Sequence, residues 1–293
     1  AATIGSVMPI MKLQGLPGTD VIVPLMGDER APCLNIGSLR AASLKSQHGR
    51  PFAMSETLAL SGWDVTSEKC RQILTWQKVL GVDRFFVHGF FQSNEGVQNY
   101  EAPPDYGPGS SIFPGIGVVN GWMQRVDALE DGAREVADVA VVSSLRSFWR
   151  WGAGMDETRL REMRGSFWQA VLACLRAHVG LHVVDEDDLG AANLRDGRLA
   201  VGERAYATVL VPALDVLDGA ALDALRRAHD AGVRVVWFGG GPGRALDAEG
   251  RLQPAGALPG EATDAVEPDA AWCAEHLEAQ AELFGDGAAS CYV

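Results

Sequence analysis

The stretch Pro51-Phe-Ala-Met-Ser-Glu56, followed by Thr57-Leu-Ala-Leu-Ser-Gly-Trp63-Asp64, decides how this chain is read. It is short and apolar until its last two residues, the pattern of a buried strand that ends in polar side chains. Thr66 then opens a helix in which Cys70, Ile73, Leu74, Gln77 and Leu80 share one face, and Gly81 closes it. Upstream, the turn Leu16-Pro-Gly-Thr19 leads into Asp20-Val-Ile-Val-Pro24, a β-rich run. A helix over Ser38–His48 follows, which Gly49 can stop. Downstream, Arg84-Phe-Phe-Val-His-Gly-Phe-Phe91 is the next strand. After it come a Pro/Gly/Tyr-rich loop from Gln92 to Pro114 and a helix through Trp122, Val126 and Leu129 to Gly132. Strands and helices in alternation predict parallel pairing, with strands buried on both faces. The loop is long for a compact domain and leaves the C-terminal end of a strand, where such folds carry their active sites.

A fresh alternation begins near Glu135. Strands are expected at Val136-Ala-Asp-Val-Ala-Val-Val142, Leu181-His-Val-Val-Asp185, Ala207-Thr-Val-Leu-Val-Pro212 and Val233-Arg-Val-Val-Trp-Phe238. Helices are expected over 157–178 and from Asp218, the latter with Leu222, Leu225 and His229 on one face and Gly232 at its end. Leu194-Arg-Asp-Gly-Arg-Leu199 reads as a hairpin. Arg244 to Asp269 looks loosely structured, and Ala270 to Phe284 reads as a last helix. This second half is therefore expected to form an open, doubly wound sheet. Gly239-Gly-Gly-Pro-Gly243 lacks the G-x-G-x-x-G pattern and a Lys-Ser/Thr ending, and Pro242 removes a donor, so it reads as a glycine-rich turn.

The 293 residues suffice for two domains, and their formal net charge of -13 argues against nucleic acid and anionic membranes as partners. No apolar run is long enough to span a bilayer. The first residues lack the basic start and compact apolar run of a signal peptide, from which neither export nor cytoplasmic residence follows, and the location stays open with the cytoplasm slightly favoured. Cys33, Cys70, Cys174, Cys273 and Cys291 are scattered, with no C-x-x-C pair, so zinc and a disulfide framework are not expected. Trp149 and Trp151 read as core or interface residues. No cofactor is expected.

Glu56 is the leading candidate for chemistry. A carboxylate at the end of a buried strand sits at the rim of a parallel sheet, and here an aromatic, Trp63, is near in sequence. Paired carboxylates cut glycosidic bonds, and sugar rings stack on aromatic side chains. His88, at the end of the next strand, falls on the same rim, suited to a hydrogen bond with a sugar hydroxyl or with Glu56. No partner at metal-ligand spacing accompanies it. In the long loop, Tyr100, Glu101, Asp105 and Tyr106 surround Pro103-Pro104, a set suited equally to carbohydrate contacts and to plain loop packing.

Several of these segments together resemble a known family: Leu16-Pro-Gly-Thr-Asp20, Ser55-Glu56, Ser61-Gly-Trp-Asp64, Trp76-Gln-Lys-Val-Leu-Gly-Val82, Phe86-Val-His88, Glu101-Ala-Pro-Pro104 and Ala137-Asp-Val-Ala-Val141. They resemble the last third of the barrel in the glycoside-hydrolase superfamily that includes family 42 β-galactosidases and bacterial rhamnosidase-like or family-2-like proteins. The resemblance covers residues 15 to 150 well and the rest more loosely. It implies an α/β chain in which residues 1–134 are the C-terminal portion of a (β/α)8 barrel. Residues 135–293 would then be a flavodoxin-like, amidotransferase-like domain that serves homo-oligomerisation.

The resemblance also implies roles. Glu56 takes the place of the catalytic nucleophile at the end of the seventh barrel strand, with Trp63, His88, Tyr100 and Tyr106 as substrate-binding residues. The activity implied is that of an exo-acting glycosidase on terminal sugars of oligosaccharides or polysaccharide side chains, retaining with Glu56 as nucleophile, with an inverting enzyme using Glu56 as general base as the open alternative. The acid/base belongs at the end of the fourth strand, and with room only for the sixth strand before Glu56, the chain reads as a fragment of a longer protein, inactive alone. Two other readings stay open. One is a non-catalytic carbohydrate-binding or assembly module; the other is a nucleotide-binding α/β protein resting on the glycines after Phe238.

Overall fold

The computed structural model describes residues 6–22, 36–100, 103–133, 135–154, 157–263 and 267–279. The chain divides into two compact units, one built on Gln14–Lys45 and Arg50–Glu135, the other on Ala1–Leu13, Ser46–Gly49 and Val136–Gly285. A single-turn helix, α1 (Met8–Met11), belongs to the second.

The first unit runs through β1 (Gly18–Val21), α2 (Ile36–Gln47), β2 (Met54–Thr57), α3 (Ser67–Val79), β3 (Arg84–Val87) and α4 (Phe113–Glu130). The strands form a parallel sheet in the order β1-β2-β3, three strands that do not close into a barrel. Thr66 caps α3 by accepting from the Lys69 amide at 3.2 Å. Cys70, Ile73, Leu74 and Gln77 form its buried face, as their spacing predicts. Side chains alternate across the sheet. Val21, Phe85 and Val87 point to the helices and join a core with Ile73, Leu74 and Val119, while Gln77 donates to the Thr57 hydroxyl at 2.7 Å. Asp20, Glu56 and Phe86 point the other way and are exposed, against the expectation of a sheet buried on both faces. The third strand stops at Val87 rather than Phe91 because β2 itself ends at Thr57, whose carbonyl takes the His88 amide at 2.9 Å as the last ladder bond. The expected first strand extends to Pro24, of which residues 23 and 24 lie outside the described ones.

The second unit carries β4 (Val139–Ser143), α5 (Arg146–Gly154), α6 (Glu157–Arg176), β5 (Leu181–Asp185), α7 (Glu186–Gly190), β6 (Asn193–Arg195), β7 (Arg198–Val201), β8 (Arg204–Tyr206) and β9 (Thr208–Val211). It continues with β10 (Val216–Asp218), α8 (Gly219–Asp230), β11 (Arg234–Phe238), β12 (Arg244–Leu246), β13 (Leu252–Pro254), β14 (Glu261–Thr263) and α9 (Ala270–His276). Its main sheet is five-stranded and parallel throughout, in the order β14-β11-β9-β4-β5. The expected hairpin is β6–β7, turning at Asp196 and Gly197, both with positive φ.

Three expectations need correction. The segment from Arg244 is not loose: β12 pairs with β13, and β14 extends the main sheet beside β11. These strands, RAL, LQP and EAT, are three residues long with one β-branched residue among them, so their pairing comes from distant partners rather than local preference. On α8 it is Ala221, Leu222, Ala224, Leu225 and Ala228 that are buried, and His229 is exposed. Of the two places expected for Trp149, core or interface, its 54% exposure removes only the core; the Trp151 side chain lies outside the described ones. Cys70, Cys174 and Cys273 are buried free thiols. Cys33 and Cys291 lie outside the described residues. No described helix is long and apolar enough to cross a membrane.

Candidate active site at the sheet end

The register of the first sheet brings Asp20, Glu56 and Phe86 side by side, one on each strand and all on the exposed face. His88 follows Phe86 by two residues, hence on the same side, immediately past the end of β3. Phe86 is 55% exposed, so an aromatic surface adjoins the Glu56 carboxylate. The Asp20 carboxyl is raised above its ordinary value, first by burial and next by the charge of Glu56, with His88 acting in the opposite sense. The His88 ring meets Phe91 edge-on with centroids 6.0 Å apart, and its Nδ1 is buried with no hydrogen-bond partner among the described residues. Such an atom is a donor or acceptor in want of a partner.

Beyond Glu56 the backbone turns abruptly. Leu58 and Leu60 have φ of 69° and 55°, left-handed values that cost an L-residue about 1–2 kcal/mol. Leu58 is held by burial, and its carbonyl accepts from the Ser61 hydroxyl at 2.7 Å and the Tyr106 hydroxyl at 3.1 Å. Leu60 is 44% exposed. We expect Leu60→Gly to leave stability unchanged or raise it by up to about 1 kcal/mol, whereas Leu58→Gly loses about 2–4 kcal/mol through lost core contact. Urea unfolding of both variants measures the contrast.

The remaining candidates are distributed unevenly. Trp63 sits in the turn after β2, 41% exposed, beside Gly62, whose amide donates to the Pro103 carbonyl at 3.2 Å. Tyr100 is 82% exposed, just past a short 3-10 turn over Gly96–Asn99. Tyr106 is fully buried against Cys70, where burial pushes its hydroxyl well up; it holds the turn and offers no surface to a ligand. Glu101 lies outside the described residues. Asp105, also buried, accepts from the amides of Phe91 at 3.0 Å and Gly107 at 2.7 Å, and from the Asn94 side chain at 3.1 Å. Burial alone would raise its carboxyl, but these donors outweigh it and hold the group below its ordinary value. It is thus the organiser of the long loop.

Asp20 and Phe86 are the site residues that the linear pattern does not single out. Each becomes visible only when the strands are placed in register. No group of three or more metal-ligating side chains occurs among the described residues.

No family model matches the chain, and no curated protein matches it. Solved structures do. A rhamnosidase from Novosphingobium sp. PP1Y superposes with a TM-score of 0.58 at 17% identity, covering 80% of this chain and 22% of that one. A catalytic mutant of Gan42B, a GH42 β-galactosidase from G. stearothermophilus, gives 0.58 at 12% identity, covering 79% and 34%. The cold-adapted β-galactosidase from Rahnella sp. R3 gives 0.56 at 13%, covering 81% and 35%. The chain therefore spans about a fifth to a third of these relatives, and at such identity the likeness is one of fold: a mixed α/β chain with parallel sheets, built like part of a glycoside hydrolase.

Proposed function

We propose that this chain carries the nucleophile half of a retaining, exo-acting glycoside hydrolase that removes terminal sugars, with Glu56 attacking the anomeric carbon. One observation carries the reading: Glu56 is the penultimate residue of the middle strand of a parallel sheet, on the exposed face opposite the helices, between Asp20 and Phe86. In this reading the first unit is the closing portion of a (β/α)8 barrel, with its boundary near residue 134. The second unit is a flavodoxin-like domain that serves homo-oligomerisation; the strand order β14-β11-β9-β4-β5 supports it, since that is the doubly wound order 2-1-3-4-5 read from the other edge. The aromatic Trp63 and Phe86 give apolar surface for a sugar ring, His88 meets its hydroxyls, and Tyr100 lies on the outer loop.

Attack by a Glu56 carboxylate oxygen would form a glycosyl ester as the bond to the leaving oxygen breaks. A proton reaches that oxygen from a second carboxyl, which later takes one from the hydrolytic water. A leaving group that departs without protonation makes the first step independent of that acid. The test is therefore covalent trapping with fluorinated dinitrophenyl rhamnosides and β-galactosides, whose ring fluorine slows the second step. We expect a sugar adduct on the peptide containing Glu56; an adduct elsewhere would remove Glu56 from the role.

A further inference from the structure

We propose that Asp20 is a second catalytic carboxylate of the Glu56 site, placed to stabilise the positive charge that grows at the anomeric carbon. The proposal rests on the glycosidase reading and adds a residue to it. Asp20 pairs with Glu56 in the β1–β2 register, so the two lie one strand spacing apart, about 4.8 Å between backbones. Both side chains are exposed on one face, and Phe86 completes the row on β3. Two carboxylates one strand spacing apart repel each other, so their placement contributes nothing favourable to the strand pairing itself.

The chemistry that uses such a pair is specific. The transition state of glycoside hydrolysis resembles an oxocarbenium ion, and the reacting carbon must come within bonding distance of Glu56. A carboxylate one strand away is then within about 5–6 Å of the developing charge, close enough to act on it once a bound sugar covers this face. Asp20 neither forms a bond to sugar nor moves a proton in this role. Its contribution is electrostatic, larger for a cation than for a neutral sugar.

That difference gives the experiment. Binding of a protonated hydroxypiperidine of galacto or rhamno configuration is measured by calorimetry, with the neutral anhydroalditol of the same configuration as control. Asp20→Asn should weaken the cation about tenfold and leave the neutral ligand unchanged, while Asp20→Glu, which keeps the charge, should recover most of the loss. Equal weakening of both ligands, or of neither, overturns the role of Asp20; the Glu56 reading survives if Glu56→Gln still abolishes cation binding. If the unsubstituted protein shows no Glu56-dependent binding of either cation, the inference falls together with the glycosidase reading.

Discussion

On the proposed glycosidase reading, Glu56→Gln in the longer protein that supplies the second carboxyl is expected to lower hydrolysis of dinitrophenyl rhamnosides or β-galactosides by about 10⁴-fold, a barrier increase of about 5.4 kcal/mol. The amide keeps the shape of the side chain but is a far weaker nucleophile, so the bond-forming step fails while sugar binding persists. Glu56 is exposed and its side chain makes no hydrogen bond among the described residues, so the melting temperature should hardly move. That separation between activity and stability is the informative part. With Glu56→Gly, added azide can occupy the vacated space and attack the anomeric carbon in place of the carboxylate. A glycosyl azide of inverted configuration, where the unsubstituted enzyme releases its sugar with retention, then identifies Glu56 as the nucleophile. Unchanged hydrolysis in Glu56→Gln would exclude it from the chemistry.

The parts of this site that sequence discloses are those governed by local rules. Cys70, Ile73, Leu74 and Gln77 repeat at helical spacing, so α3 and its buried face are legible, and with them the strand that ends in Glu56. Asp20 is not legible in the same way. A single Asp in a β-rich run has no meaning until β1 is aligned with β2, and that alignment is a long-range property. Tyr106 illustrates the opposite failure. In a Pro/Gly-rich loop it looks available to a ligand, yet the loop folds back and uses its hydroxyl to hold the Leu58 carbonyl. The left-handed Leu58 and Leu60 carry no signature at all, because the residue that normally announces such a turn is glycine.

In the second unit the largest effect is expected from Glu186→Ala, a loss of about 4 kcal/mol or more in urea unfolding. Glu186 follows β5 as the first residue of α7 and is fully buried. One carboxylate oxygen accepts from the amides of Leu145 at 2.7 Å and Arg146 at 3.0 Å, where α5 begins; the other accepts from the Asp218 amide at 2.7 Å, where α8 begins. A single side chain thus serves the starts of two helices and ties together the segments that follow β4 and β5 and the end of β10. Alanine leaves three N–H groups without their acceptor, the Leu145 one buried and the Arg146 and Asp218 ones partly so, at up to about 1–3 kcal/mol each. Glu186→Gln should be milder, about 2 kcal/mol, because the amide oxygen still serves Leu145 and Arg146 while its nitrogen faces the Asp218 donor. Burial raises the Glu186 carboxyl above its ordinary value despite the amides and Arg146, so its charge itself is no large source of stability. The donors' need for an acceptor is what the substitution exposes. A result in which Gln and Ala are equally harmful would instead assign the effect to the charge and to its pairing with Arg146.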